Sequence, residues 1–453
     1  MYNNFIRTVI QIFELSEYKI YYKRLLFKQI FSLLMLMIMF VLSATGQRQL
    51  GLDEAISLGL KNNYNVVIAQ SEIEAAKQRN SWGYAGALPS LSVGANARTG
   101  VENDAFGTTI TPAANLNFTI FNGFRVRLTK ERYGYLEKLS QGNATLVLEN
   151  TMQAIILGYY SVLLEHERLN VLKVNMELSK DRYDYIKNRV DMGSGSRYEL
   201  LLAQNSYLTD QSLYLNQEMV QRAEKRTLAF ILAEKSLFDY ELTDSLQIIP
   251  EEFTLSKMQE EMLSDNQSLK NQYLNLELLR VNSSISRSPR YPSLALNGAG
   301  NYTFAPESLN DQAVVNARDG NYTYYGSLVL SYTLFDGTKI SRDIKIADIE
   351  KRIGDVETEQ MEHELTNYLA NIYDLYEVRK DLMTVAKENK EAAQLNLAIS
   401  SDKYKNGSLT SFEFRDVQQV YLQASLSYIQ SVYNLIETHT DLLRMTGRLL
   451  TTQ

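Results

Sequence analysis

The second half of this sequence repeats the first, and most of the repeat is in register. Leu116–Gly123 (LNFTIFNG) returns as Leu330–Gly337 (LSYTLFDG), and Gly193–Tyr207 (GSGSRYELLLAQNSY) returns as Gly407–Tyr421 (GSLTSFEFRDVQQVY), both 214 residues on. Upstream, Leu88-Pro89-Ser90-Leu91 returns as Tyr291-Pro292-Ser293-Leu294 only 203 residues on, so the second copy has gained 11 residues between Pro292 and Leu330. Units of about 200 residues are far longer than solenoid repeats. The pattern is tandem duplication of a whole structural element, with residues 47–249 and 250–453 as two halves of one body.

Proline punctuates each copy. All six prolines, at 89, 112, 250, 289, 292 and 306, fall in two short windows or between the halves. An interior proline costs a helix about 3 kcal/mol, so the proline-free stretches Phe124–Ile249 and Glu307–Gln453 permit very long helices. Met152, Ile155, Ile156, Tyr159 and Leu163 follow helical spacing, while Leu201, Leu208, Leu215 and then Leu422, Ile429, Ile436 recur every seven residues. A helix from Phe124 to about Asp191 would be on the order of 100 Å long at 1.5 Å per residue.

The proline-bearing windows alternate with period two. Leu91, Val93, Ala95 and Ala97 share one face, and Leu116, Phe118 and Ile120 alternate with Asn117 and Thr119. Leu294 and Leu296, then Leu328, Leu330, Tyr332 and Leu334, are their partners in the second copy. Strands are expected at about 88–98, 112–122, 291–304 and 322–336, with loops at about Arg98–Thr111 and Ala305–Asn321. Each unit reads helix (Asp53–Trp82; Leu255–Ser286), strand, loop, strand, long helix, glycine-bearing tip (192–197; 406–411), helix. A soluble hairpin and a membrane strand give the same alternation. Should these strands span a bilayer, four cannot close a barrel, and unpaired edges are not tolerated in lipid, so several chains must share one.

The N-terminus speaks to compartment. Lys23, Arg24 and Lys28 precede an apolar run of about 13 residues, Ile30–Leu42, and then Ser43-Ala44-Thr45-Gly46. Residues 1–46 read as a signal peptide with an unusually long leading region, cleaved before Gln47, the alternative being an uncleaved anchor. Beyond Leu42 no segment is continuously apolar enough for a transmembrane helix. A net charge of −7 and no basic stripe argue against nucleic-acid binding. The absence of cysteine excludes disulfides, thiolate metal sites, a cysteine nucleophile and an acylated N-terminal cysteine. His166, His363 and His439 are scattered, and no nucleophile-base-orienter pattern exists, so neither a metal, a cofactor nor an enzymatic reaction is expected.

Four features together resemble the outer-membrane efflux protein family, the TolC-like channels. They are the strand starts at Pro89 and Pro292, the Phe-Asn/Asp-Gly exits at Gly123 and Gly337, the tips at Gly193 and Gly407, and the terminal Leu443-Arg444-Met445-Thr446-Gly447. The resemblance runs from about Leu50 to Leu450. It implies an α+β fold dominated by long helices: a homotrimer whose twelve strands, four per chain, form one outer-membrane barrel continued by a periplasmic helical barrel. It implies too a periplasmic adaptor and an inner-membrane transporter as partners, with the chain as passive exit duct. An outer-membrane component of type I protein secretion, and a periplasmic coiled-coil scaffold, are the alternatives. Many relatives carry a lipidated N-terminal cysteine that this chain lacks. Leu91, Val93, Leu116, Phe118, Ile120, Leu294, Leu296, Leu330, Tyr332 and Leu334 would face outer-membrane lipid.

The tips carry the remaining candidates. Gly193, Gly195 and Gly407 can take φ > 0 and reverse the chain, and with Ser194, Ser408 and Leu409 they occupy the family's adaptor-contact position. Ser196-x-x-Glu199 and Thr410-x-x-Glu413 both have capping-box spacing. The resemblance places Tyr404, Glu413 and Asp416 beside the closed periplasmic entrance, where the family carries an acidic ring or its tethers. The family's tethering arginine falls on Leu409, so that part is missing. Asp416 has Leu202 as its counterpart in the first copy, and the plain alternative for it is a solvated helix face.

Overall fold

In a computed structural model of the chain, residues 48–102, 105–235, 240–303 and 321–451 are described. The expected signal peptide and the expected loop at Ala305–Asn321 lie almost wholly outside them. Two short strands, β1 (Arg48–Leu50) and β4 (Tyr240–Leu242), pair in parallel as one small unit. The second unit holds everything else. In chain order it comprises α1 (Leu52–Asn62), α2 (Tyr64–Arg79), β2 (Ser90–Glu102), β3 (Ala105–Asn122), α3 (Arg125–Asp191) and α4 (Arg197–Ile231). The same series then returns as α5 (Leu255–Asp265), α6 (Gln267–Arg287), β5 (Ser293–Thr303), β6 (Asn321–Ser331), α7 (Lys339–Lys405) and α8 (Ser411–Met445). The helices α3 and α7 are each 67 residues, and α4 and α8 each 35.

Where single helices were expected over Asp53–Trp82 and Leu255–Ser286, asparagines break them. Asn63 accepts from the Asn65 N–H at 2.9 Å and donates Nδ2 to the Ile231 carbonyl at 2.8 Å, thereby capping α2 and closing α4. Asn266 repeats this, accepting from Leu269 N–H at 3.1 Å and donating to the Met445 carbonyl at 3.0 Å. The strand-to-helix exits are equally regular. Asn122 and Asp336 accept the N–H of Val126 and Ile340, while Gly123 (φ 67°) and Gly337 (φ 68°) turn the chain.

β2, β3, β5 and β6 form one antiparallel sheet in that order, leaving β2 and β6 as its edges. Register gathers the apolar residues on one face. Leu91 lies opposite Leu116, Phe118 opposite Leu296, Leu296 opposite Leu328, and Leu294 opposite Leu330. The other face is mostly small and polar, with Ser90, Asn117, Asn297 and Ser327 in one row and Val329 and Tyr325 as its larger members. Leu91 (71% exposed) and Val93 (80%) are left open by the described residues.

Two strand boundaries differ from expectation. The loop expected at Arg98–Thr111 is mostly ladder, pairing as far as Glu102 with Ala105. Pro112 does not interrupt β3, because it lies one residue beyond the last β3–β5 pair, Ala113 with Asn301, and so leaves no gap in that ladder. The last strand, in turn, stops at Ser331, because its partner β5 begins at Ser293 and offers nothing further to pair. Tyr332 and Leu334 therefore fall outside it, and Ile120 sits at a bulge between Thr119 and Phe121.

The two heptad series also part company. Leu422, Ile429 and Ile436 are buried in the helical core with Ile155, Tyr159 and Leu435. Leu201, Leu208 and Leu215 are each half exposed. Helix α7 likewise leaves Ile346, Ile349, Ile353 and Val356, then Leu375, Val378, Leu382 and Val385, in the open at alternating three- and four-residue steps.

Candidate functional site

The tips connecting α3 to α4 and α7 to α8 are built alike. At the first, Gly193 (φ 78°) and Ser194 donate their N–H groups to the Val190 and Arg189 carbonyls at 2.9 and 2.8 Å. At the second, Gly407 (φ 72°) and Ser408 donate to Tyr404 and Lys403 at 3.0 and 2.9 Å. Both are Schellman closures, which satisfy helix-end carbonyls and need a left-handed residue. Gly195 is required for room: a Cβ there would meet the Val190 nitrogen at 2.8 Å.

Capping then differs. Thr410 Oγ1 accepts from the Glu413 N–H at 3.2 Å, and the Glu413 carboxylate accepts from the Thr410 N–H at 2.9 Å, a complete capping box. That Thr410 N–H, with the Thr410 hydroxyl, holds the Glu413 carboxyl below its ordinary range and keeps it ionised at an exposed position. Ser196 and Glu199, expected to match, make no such box. Ser196 and Glu199 are exposed, so water can serve the free N–H groups, and serine lacks the β-branch that restricts threonine's rotamers.

The entrance candidates separate. Tyr404 is buried, stacked on Phe414 (centroids 4.8 Å apart) and edge-on to Tyr185, and burial pushes its hydroxyl pKa up. It packs the chain's own helices together. Asp416 is exposed, one turn from Glu413, on a strip that includes exposed Phe412 and Val420. Leu409, where the family's arginine would stand, makes no polar link.

Between Tyr404 and the core lies a polar cluster that the sequence reading missed. Arg415 Nη1 and Nη2 donate to the two carboxylate oxygens of Asp210 at 2.5 and 2.8 Å, and Nη1 also reaches Ser179 Oγ at 3.0 Å. Ser179 hydrogen-bonds the same carboxylate, which is 1% exposed. Beside it Arg182, 3% exposed, donates to the Ser411 carbonyl at 3.2 Å. Burial first, and the neighbouring Arg415 charge second, bring the Arg182 guanidinium down to about 10. One fork thus ties α8 to α3 and α4, the second copy to the first. A signal existed: Arg415, Asp210 and Ser179 have Leu201, Ala424 and Ala393 at the repeat offset, so each is a polar exception to an apolar counterpart.

A duplicated unit of strand pair and long helical hairpin, with one apolar sheet face and reversed tips, is the TolC-like fold. Residues 259–448 match the outer membrane efflux protein family. That match covers most of the second copy, and the first half of the chain is its repeat. Solved structures share the fold over nearly the whole length. The CmeC outer membrane channel of Campylobacter jejuni superposes with a TM-score of 0.71 at 16% identity, over 88% of this chain and 85% of that one. The MtrE outer membrane channel of Neisseria gonorrhoeae, solved in its open state, gives 0.70 at 15%, over 87% and 88%. The outer membrane protein VceC of Vibrio cholerae gives 0.69 at 11%, over 87% and 96%. No curated protein matches the sequence significantly.

Proposed function

We propose that this chain is one third of a homotrimeric outer-membrane channel, the passive exit duct of a tripartite efflux system, fed by an inner-membrane transporter through a periplasmic adaptor. The sheet carries this reading. An apolar face that the described residues leave open, backed by a mostly polar one, suits a barrel with lipid outside and water within. At about 3.4 Å per residue, eleven-residue strands tilted by roughly 40° rise about 28 Å, enough for the apolar band of about 25 Å. Two open edges in each chain need partners, and three chains supply twelve strands. The uncovered heptad seams of α4 and α7 fit neighbouring protomers in the helical part.

At the tips, Glu413 and Asp416 form a threefold acidic ring in the trimer, and residues 193–195 and 407–409 meet the adaptor. Asp416→Ala is expected to lower cation preference and cation block in single-channel recordings, and unchanged values would remove it from the ring. For the channel as a whole, the mature protein is expected to sediment with outer membranes as a heat-modifiable trimer that conducts in planar bilayers. A soluble, monomeric, non-conducting product would overturn the proposal.

A further inference from the structure

Both 67-residue helices start with the wrong charge. Helix N-termini favour acidic side chains, because the macrodipole is positive there, yet neither α3 nor α7 has an acid in its first turn. Instead α3 opens with Arg125, Arg127 and Lys130, and α7 with Lys339, Arg342 and Lys345. Among the described residues, Arg125, Arg127, Lys339 and Lys345 are exposed and take part in no ion pair. Their placement works against the helices, and no described carboxylate closes an ion pair with them.

A cavity of about 380 Å³ opens among them, lined by Trp82, Arg127, Lys130, Glu131, Tyr135 and Lys138. Three cations face one carboxylate there. The Lys130 ammonium lies 5.9 Å from the ring centre of Trp82, the only tryptophan in the sequence, which is half exposed. The helix that lines the cavity follows directly in chain from the apolar sheet face. Phe121, paired with Leu294, packs edge-on to Phe124, and Phe124 packs edge-on to Tyr291. From strand to helix the order is aliphatic, aromatic, cationic, the order in which a bilayer passes from hydrocarbon through interface to headgroups.

We infer that this cavity and its surrounding cations bind the headgroups of anionic phospholipids in the leaflet at the helical end of the barrel. The inference rests on the membrane-spanning reading of the sheet. It gives a chain without a cysteine for acylation a second hold on the membrane, by charge. Each cation close to an anionic surface contributes a factor of about five in partitioning, screened by salt.

Trp82 reports the answer directly. The full trimer is reconstituted in phosphatidylcholine vesicles holding an equal mole fraction of brominated phosphatidylglycerol or brominated phosphatidylcholine, and tryptophan quenching is compared. Several-fold stronger quenching by the anionic lipid is expected, diminishing at 1 M salt and in Arg127→Gln/Lys138→Gln, while Arg127→Lys retains it. Equal quenching by both lipids would overturn the headgroup site and leave the membrane reading standing. No quenching by either, or failure to enter vesicles, would overturn both. Loss of the preference in inorganic phosphate, but not in chloride of equal ionic strength, would identify a free-phosphate site instead and refute the lipid assignment.

Discussion

Replacing Asp210 by alanine should loosen the tip-proximal helices more than any other single truncation in that region. The carboxylate is 1% exposed and accepts both arms of the Arg415 fork together with Ser179. Removing it strands the Arg415 guanidinium, itself only 17% exposed, beside Arg182, whose own proton is already held less firmly than usual. Breaking a buried pair by deleting one partner costs about 3–5 kcal/mol, because the surviving charge keeps its desolvation penalty. At a factor of ten per 1.4 kcal/mol, local opening becomes roughly 10² to 4 × 10³ times more frequent. Hydrogen exchange of the detergent-solubilised trimer reads this as faster labelling of α4 around Asp210 and of α8 around Arg415, with the strands unaffected. The paired replacement Asp210→Leu/Arg415→Met removes both charges at similar volume and should restore protection to near the parent level. Acceleration below about fivefold in the single variant, or a double variant that exchanges as fast as the single, would refute the argument.

The two tips predict an asymmetric response: Thr410→Ala should cost about 1 kcal/mol of local stability and Ser196→Ala almost nothing, measured by exchange at the start of α8 and α4. Glu149, 6% exposed in α3, is pushed up to about 6 by burial, against the opposing charges of Arg444 and Lys270. The folded chain therefore keeps this proton to higher pH than the unfolded chain, so its contribution to stability is complete below about 4.5 and is lost as pH rises through about 6. Glu149→Gln should gain up to about 2 kcal/mol over the parent across that window, and thermal unfolding from pH 4 to pH 8 with a constant difference would contradict it. On the sheet, Val93→Arg should cost about 2–4 kcal/mol of folding into lipid while Ser92→Arg on the opposite face is tolerated, as judged by the yield of heat-modifiable trimer.

The long helices could be read from the sequence because proline is missing and nothing else over 67 residues contradicts a helix. The strands could be read from alternation, and the tips from glycines whose positive φ has a mechanical purpose. What escaped depends on partners distant in sequence. Asn63 and Asn266 read as ordinary helix residues until the carbonyls of Ile231 and Met445 come beside them. The end of β2 at Gly100 and the start of β3 at Gly107 and Pro112 look like a loop by composition, and only the ladder between them makes them strand. Arg415 does not stand out in the sequence beside Asp416 because, in a helix, adjacent residues point to different sides: one inward to a carboxylate 205 residues away, the other outward.

The order of the sheet has a consequence for assembly. Inside one chain, β3 of the first copy already pairs with β5 of the second, which is the kind of junction that β6 would make with β2 of the next chain in the proposed trimer. Each protomer therefore carries a sample of its own interface. In the proposed trimer the outer junctions would be head-to-tail, and such contacts either close into a ring or continue as an open polymer, depending on the rotation gained at each step. In that assembly the rotation would follow from sheet curvature, and a bulge such as the one after Thr119 at the internal junction adds to bend and twist. Subunit number is then an angle written into the strands, and a substitution that straightened the bulge would change how many chains meet before it changed how tightly any two hold.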